Sequence, residues 1–196
     1  MELGNPWMKF FSNKNGNSSL CPVLITFSVL SCFLTSPPPL LSAIAADRTE
    51  LATEVCKNTT NFAFCHDAIY SDPRAPDADR YVLSYIAFGK AYSNATDTRD
   101  YIASKIKSGG GRPETLRGLK KCLGYYEEAV RILAEMLGNL DSETFSGLDK
   151  LSVEAEGYPR ACEKRFGGRS PITTRNDNLI KLANICYVVA LLYEYH

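Results

Sequence analysis

From Pro113 to Leu140 the apolar side chains return at alternating intervals of three and four: Leu116, Leu119, Leu123, Tyr126, Val130, Leu133, Leu137 and Leu140. That period is one face of an α-helix, and Pro113 is a favoured first helical residue. The spacing predicts a long helix with a bundle-type seam. An earlier helix, starting after the cap candidate Asp77, places Tyr81, Tyr85, Phe88, Tyr92, Ala95, Ile102 and Ile106 on one face and stops at Gly109-Gly110-Gly111. A third, from about Ser142 to Phe166 and capped by Asp141, carries Phe145, Leu148, Ala155, Cys162 and Phe166, with Gly157 and Pro159 expected to kink or break it. The last follows Ser170-Pro171, with Thr174 and Asp177 arranged like a capping box, and buries Leu179, Leu182, Cys186, Val189 and Tyr193.

After residue 46 there is no Asn-Gly or Asp-Gly hairpin signal and no sustained period-two alternation. The pattern therefore predicts an all-α domain: an antiparallel up-down four-helix bundle, preceded by two short amphipathic pieces within residues 48–70 that form a small helical extension.

Upstream, Leu20 to Leu34 is an apolar run with Lys9 and Lys14 before it, short for a bilayer span and closed by Pro37-Pro38-Pro39. Ala43-Ile44-Ala45 then offers a small-x-small cleavage site. The expected organisation is a signal peptide over residues 1–45 and one domain over 46–196, with no membrane attachment after cleavage. A domain of about 150 residues buries roughly 68–70% of its unfolded surface, enough for a core without metal or oligomerisation.

Composition narrows the partners. Lys+Arg 22 against Asp+Glu 22 leaves no net charge, so a nucleic-acid partner, which demands a basic surface, is not expected. Five of the seven cysteines lie beyond residue 46: Cys56, Cys65, Cys122, Cys162 and Cys186. In an oxidising compartment an odd number gives two bridges and a spare thiol in several possible arrangements. Cys56 and Cys65 are close enough to staple the extension to itself, while Cys122 and Cys162 fall on neighbouring long helices. Cys186 falls on an apolar face, as a small buried hydrophobe does. Asn58-Thr59-Thr60 and Asn94-Ala95-Thr96 are acceptor sequons for N-glycosylation if the chain is exported.

Catalytic chemistry finds little to stand on. The two histidines are His66, beside a cysteine, and His196 at the terminus; no Gly-x-Ser-x-Gly, His-Glu-x-x-His or Cys-x-x-Cys occurs. Gly109-Gly110-Gly111-Arg112-Pro113 lacks the Gly-Lys-Ser/Thr of a phosphate loop. Glu127-Glu128 and Glu154 with Glu156 read as solvated helix faces. No cofactor and no metal site is expected.

Some segments resemble a known family. Cys56-Lys57-Asn58-Thr59-Thr60-Asn61-Phe62-Ala63-Phe64-Cys65 with Ser71-Asp72-Pro73-Arg74 is similar to the opening of the plant invertase and pectin methylesterase inhibitors. The similarity continues through Cys122 with Tyr125-Tyr126 and Ala129, Ala161-Cys162-Glu163-Lys164-Arg165-Phe166, and Asn178-Leu179, so that it spans about residues 47–195. The resemblance implies pairing of Cys56 with Cys65 and Cys122 with Cys162, a free thiol at Cys186, a four-helix bundle with an N-terminal helical hairpin, and no catalysis. It also implies a one-to-one complex with a plant cell-wall or vacuolar carbohydrate enzyme, pectin methylesterase or acid invertase.

One departure bears on the target. Invertase inhibitors of the family typically carry Pro-Lys-Phe where this chain reads Glu143-Thr144-Phe145. The change of sign points to pectin methylesterase, with invertase inhibition as the alternative and a secreted helical structural or allergen-like protein as the reading from another class. Candidate partner contacts are Lys121, Tyr125 and Glu128, opposite the long helix's seam, and Glu143, Thr144 and Phe145.

Overall fold

The computed structural model describes residues 51–109 and 111–194. The signal-peptide segment and its cleavage site lie outside the described residues. Helix α1 runs through 51–57, and Asn61, whose side chain accepts from the Phe64 amide, starts α2 (Phe62–Tyr70). A disulfide, Cys56–Cys65, closes these two into a hairpin, and Asn184 Oδ1 holds the turn between them by accepting from the Thr60 amide at 2.8 Å.

The bundle consists of α3 (Arg80–Ser108), α4 (Pro113–Asp141), α5 (Leu148–Arg165) and α6 (Thr173–Ala190). The principal helix pairs are α3–α4, α4–α5, α5–α6 and α3–α6, a closed ring of four around one core. Short connections make sequence neighbours antiparallel. The α3–α4 connection follows Gly109, which adopts the left-handed conformation (φ 64°) that ends a helix without a Cβ penalty. Among the described residues there is no strand.

Several local expectations move. Asp79, not Asp77, caps α3, accepting from the Val82 amide at 2.9 Å. The α3 core face is Leu83, Ala87, Phe88, Ala91, Ala95, Thr98 and Ile102; Tyr81 is exposed, and Tyr85 and Tyr92 lie at the edge. Alanines take several inner positions where α3 packs on two helices at once, Phe88 is buried among them, and the tyrosines Tyr81, Tyr85 and Tyr92, each with a polar hydroxyl, stay at the rim. The α4 seam turns in the same way. Leu119, Tyr126, Leu133 and Leu140 are buried as the pattern predicts, but the positions between them are Cys122, Ala129 and Met136 rather than Leu123, Val130 and Leu137.

Helix α5 starts at Leu148, after Gly147 in the left-handed conformation (φ 83°), and not at Ser142; Asp141 is the last residue of α4 and caps nothing in α5. Pro159 lies inside α5 without ending it. Ala155, Pro159 and Cys162 are all buried on the bundle side, so packing and the second disulfide, Cys122–Cys162, hold a segment that proline alone would disfavour. Helix α6 is likewise not opened by a Thr174–Asp177 capping box: Ile172 is its cap residue and makes no side-chain cap bond. Leu179, Leu182, Cys186 and Val189 face the core as expected, and Tyr193 falls in the short 3-10 turn that follows.

Candidate functional site

The disulfide Cys122–Cys162 ties α4 to α5, and the residue next to it organises the start of α6. Glu163 Oε1 accepts from the Ser170 amide at 3.0 Å and from Thr173 Oγ1 at 2.7 Å, and its Oε2 accepts from Asn176 Nδ2 at 2.6 Å. Asn176, fully buried, completes the chain by accepting from the Tyr126 hydroxyl at 2.9 Å. Burial pushes the Glu163 carboxyl up, but the donors from Ser170, Asn176 and Thr173 outweigh it and hold the group below its ordinary range. Burial also pushes the Tyr126 hydroxyl up, so it stays a donor. With three donors on its two oxygens this carboxylate ties the end of α5 to the start of α6. The sequence carried this network only as the Cys-Glu-x-x-Phe spacing; that Asn176 and Tyr126 join it was not legible.

Phe166 of the same segment packs on Gly118 of α4. A Cβ at Gly118 would overlap the ring, 2.7 Å from its Cε1 carbon. Glycine is required here for close approach of two elements, and a helix interior tolerates it for that reason.

The six candidate partner contacts form two groups. Lys121 and Glu128 are exposed on α4, with Glu128 accepting from Arg131 Nε at 2.8 Å, while Tyr125 between them is half-buried against the core rather than free in solvent. Glu143, Thr144 and Phe145 lie in the turn between α4 and α5. At 1.5 Å per residue, Glu128 and the end of α4 are about 20 Å apart, so the groups do not make one patch.

That turn has a defined shape. Glu143 is exposed and takes the left-handed conformation (φ 55°), and the Thr144 amide donates back to Asn139 O at 2.7 Å. Phe145 folds inward, stacked on Tyr193 with centroids 4.4 Å apart and edge-on to Tyr81 at 5.5 Å. Arg80 lies over both tyrosine rings, at 5.1 and 5.3 Å, and the Tyr85 hydroxyl donates to Asp141 Oδ1 at 2.8 Å. The aromatic end of the bundle thus holds the turn from below, a cluster that sequence spacing does not connect.

A groove of about 550 Å³ runs between α2, α3 and α6. Lys90, Asn94 and Asp97 line this groove from α3. At its edge Arg74 binds Asp72 through Nε at 2.9 Å and Nη2 at 2.8 Å. Its hydrogen bond, opposed by partial burial and helped by the Lys90 charge, lowers the Asp72 carboxyl to about 2. Of the two sequon asparagines, Asn58 is exposed, and Asn94 is half-buried with Oδ1 enclosed and no protein partner.

Nothing in the remaining candidates converges into a reactive centre. His66 is exposed on α2, stacked on Tyr70 at 4.4 Å. Glu154 accepts from the Tyr158 hydroxyl, Glu156 pairs with Arg160, and Glu127 is exposed, each on a helix surface. Cys186 is free and buried, its thiol pushed up by burial and directed at Ala87 O. Among the described residues no group of acidic, histidine or cysteine side chains is placed to hold a metal ion, and no helix is long and apolar enough to cross a membrane.

A closed four-helix ring, a disulfide-closed N-terminal hairpin and a second disulfide beside the Glu163 network define a disulfide-stapled helical bundle. Comparison with known proteins gives the class its name: residues 50–189 match the family Plant invertase/pectin methylesterase inhibitor, and the chain belongs to it. It is 30% identical to cell wall / vacuolar inhibitor of fructosidase 2 of Arabidopsis thaliana over 85% of this chain and 93% of that one. To the pectinesterase inhibitor of Actinidia deliciosa it is 25% identical over 89% of this chain and 94% of that one. The crystal structure of a mutant form of a pectin methylesterase inhibitor from Arabidopsis has the same fold, with a TM-score of 0.63 at 20% identity, over 70% of this chain and 93% of that one.

Proposed function

We propose that this chain is exported and acts as a proteinaceous inhibitor of pectin methylesterase, in the cell wall, as a one-to-one complex. The mode is occlusion. A rigid bundle wall covers a substrate cleft, a few aromatic or charged side chains supply most of the affinity, and two disulfides limit the order lost on docking.

The observation that carries the choice of target is the α4–α5 turn. Glu143 stands where invertase inhibitors carry proline, yet its φ of 55° is one that a proline ring, fixed near −65°, cannot adopt. Phe145 is folded against Tyr193 instead of being offered to a partner. Glu143 would also meet an acidic sugar-cleaving site with like charge. Against this, the identities of 30% and 29% to two fructosidase inhibitors of Arabidopsis thaliana favour a second reading, inhibition of acid invertase in the wall or vacuole.

Side-by-side titration separates them. The oxidised protein should inhibit a plant pectin methylesterase stoichiometrically at mildly acidic pH and leave acid invertase active. Inhibition of invertase alone would reverse the assignment, and inhibition of neither would favour a helical protein without an enzyme target.

A further inference from the structure

We propose that the end of the bundle where α3 and α5 finish and α4 and α6 begin is a docking surface for a linear polyuronate, the carboxylated polymer that removal of methyl esters from pectin leaves. The chain has no net charge, but its charge is segregated along the bundle. Lys105 and Lys107 stand in the last turn of α3, Lys164 and Arg165 in that of α5, and Arg112 and Arg169 in the connections that lead into α4 and α6. All six are exposed. The opposite end carries Asp79, Asp141, Glu143 and Asp149 against Arg80 and Lys150.

Contacts bring the four basic helix ends together. Arg175 of α6 and Lys105 of α3 lie over the same Tyr101 ring, 4.2 and 5.2 Å from its centroid, and Arg117 of α4 and Arg165 of α5 line one hollow of about 220 Å³. Local stability explains only part of this. Cations in the last turns of α3 and α5 complement the helix dipoles, but Arg112 is the cap residue of α4 and Arg175 lies in the first turn of α6, where a dipole disfavours them. Nor are the charges neutralised. Among the described residues Lys107, Arg112, Lys164, Arg165 and Arg169 enter no salt bridge; Asp100 is taken by Arg99 at 2.8 Å and Glu114 by Arg117 at 3.2 Å. A polyanion would relieve the repulsion among them.

The surroundings narrow the class. The exposed large apolar side chains among the described residues, Phe62, Tyr81 and Val153, lie elsewhere, so this end has nothing to insert into a bilayer. Arg175 covers the Tyr101 ring, which removes a stacking platform for a nucleobase. What fits is a flexible string of carboxylates, gripped by charge alone. The inference rests on the export and target proposed above, and would hold the inhibitor where its enzyme has already acted.

Retention of the oxidised protein, secreted from plant cells, is measured on immobilised polygalacturonate and on fully methyl-esterified pectin. No esterase is present, so failure of the inhibition titration would leave this result standing. Binding to polygalacturonate alone is expected, falling steeply as salt shortens the screening length. Lys107→Gln, Arg165→Gln and Arg169→Gln together should weaken it about tenfold, with the melting temperature of the parent, whereas Lys150→Gln at the acidic end should leave it unchanged. Equal retention on the esterified polymer, insensitivity to salt, parental binding by the triple variant, or a preference for phosphatidylserine vesicles would each overturn the proposal.

Discussion

Gly118 is the residue on which the approach of α4 to the end of α5 depends. Gly118→Ala should stabilise an isolated helix, since alanine is the better helix former, yet here its methyl group meets the Phe166 ring. The overlap should dominate, lowering stability by about 1–3 kcal/mol in urea unfolding, as overpacking does. Phe166→Leu in the same background should restore part of the loss.

Asp72 and Glu163 carry the acid sensitivity of the fold. Both carboxyls are held below their unfolded values, so their contribution is complete above the unfolded value and is lost as pH falls through the folded one. For Asp72 that window runs from 3.8 down to about 2. Denaturant midpoints should therefore fall across it, and Asp72→Asn should flatten the fall. Glu163→Gln should cost about 1–3 kcal/mol at neutral pH, because an amide cannot accept from the Ser170 amide, Thr173 and Asn176 together.

Among the elements, α4 carries the most. One side of it forms the seam with its partner helices, one residue forms the disulfide, and Lys121, Tyr125 and Glu128 follow one another on its outer side. Closing a loop of some tens of residues stabilises by about 3–4 kcal/mol where the chain-entropy account holds. Cys122→Ala with Cys162→Ala should therefore lower stability by that order, while Cys186→Ala should leave the bridge pattern unchanged in peptide maps. If α4 is the docking strip, Lys121→Ala and Tyr125→Phe should weaken inhibition without changing the melting temperature. Tyr125→Ala is a poorer test, because the ring also packs on the core. The α4–α5 turn tests the other group of contacts: replacing Glu143-Thr144 by Pro-Lys should force its backbone out of the left-handed conformation and move any inhibition toward invertase.

For the molecule as a whole, rigidity is what suits it to occlusion. The ring of α3 to α6 shares one core, and the α1–α2 hairpin, closed by its own disulfide, joins that core and is tied to α6 by Asn184. Reduction and alkylation should loosen the hairpin and the α4–α5 pair together, and inhibitory potency should drop with them. Export belongs to this scale too, since the bridges need an oxidising compartment. N-terminal sequencing of the secreted product should give a start near Ala46, and retention of Met1 in the cytosol would remove the basis for both.

The sequence by itself determined the class of fold, the number of long helices, the glycine stop after α3 and the residues that could be bridged, whereas Gly157 lies inside α5 without breaking it and the start of that helix after Gly147 was not legible. Period and punctuation are local properties, and Leu119, Tyr126, Leu133 and Leu140 were legible because helix geometry alone puts them on one face. Which neighbouring stripe turns inward was not local. Cys122 and Ala129 are buried where the larger Leu123 and Val130 stay at the edge, because interhelix distance, set by the disulfide and by Gly118 against Phe166, rewards small side chains at the contact, and Met136 takes the third inner position. The start of α5 moved for a similar reason. Phe145 gains more by stacking on Tyr193, 48 positions later in the chain, than by continuing a helix, and no short-range pattern encodes that choice. The Tyr126–Asn176–Glu163 network and the groove around Asn94 are likewise meetings of three elements. Only the tertiary structure brings them together, because each residue's partners lie on other helices.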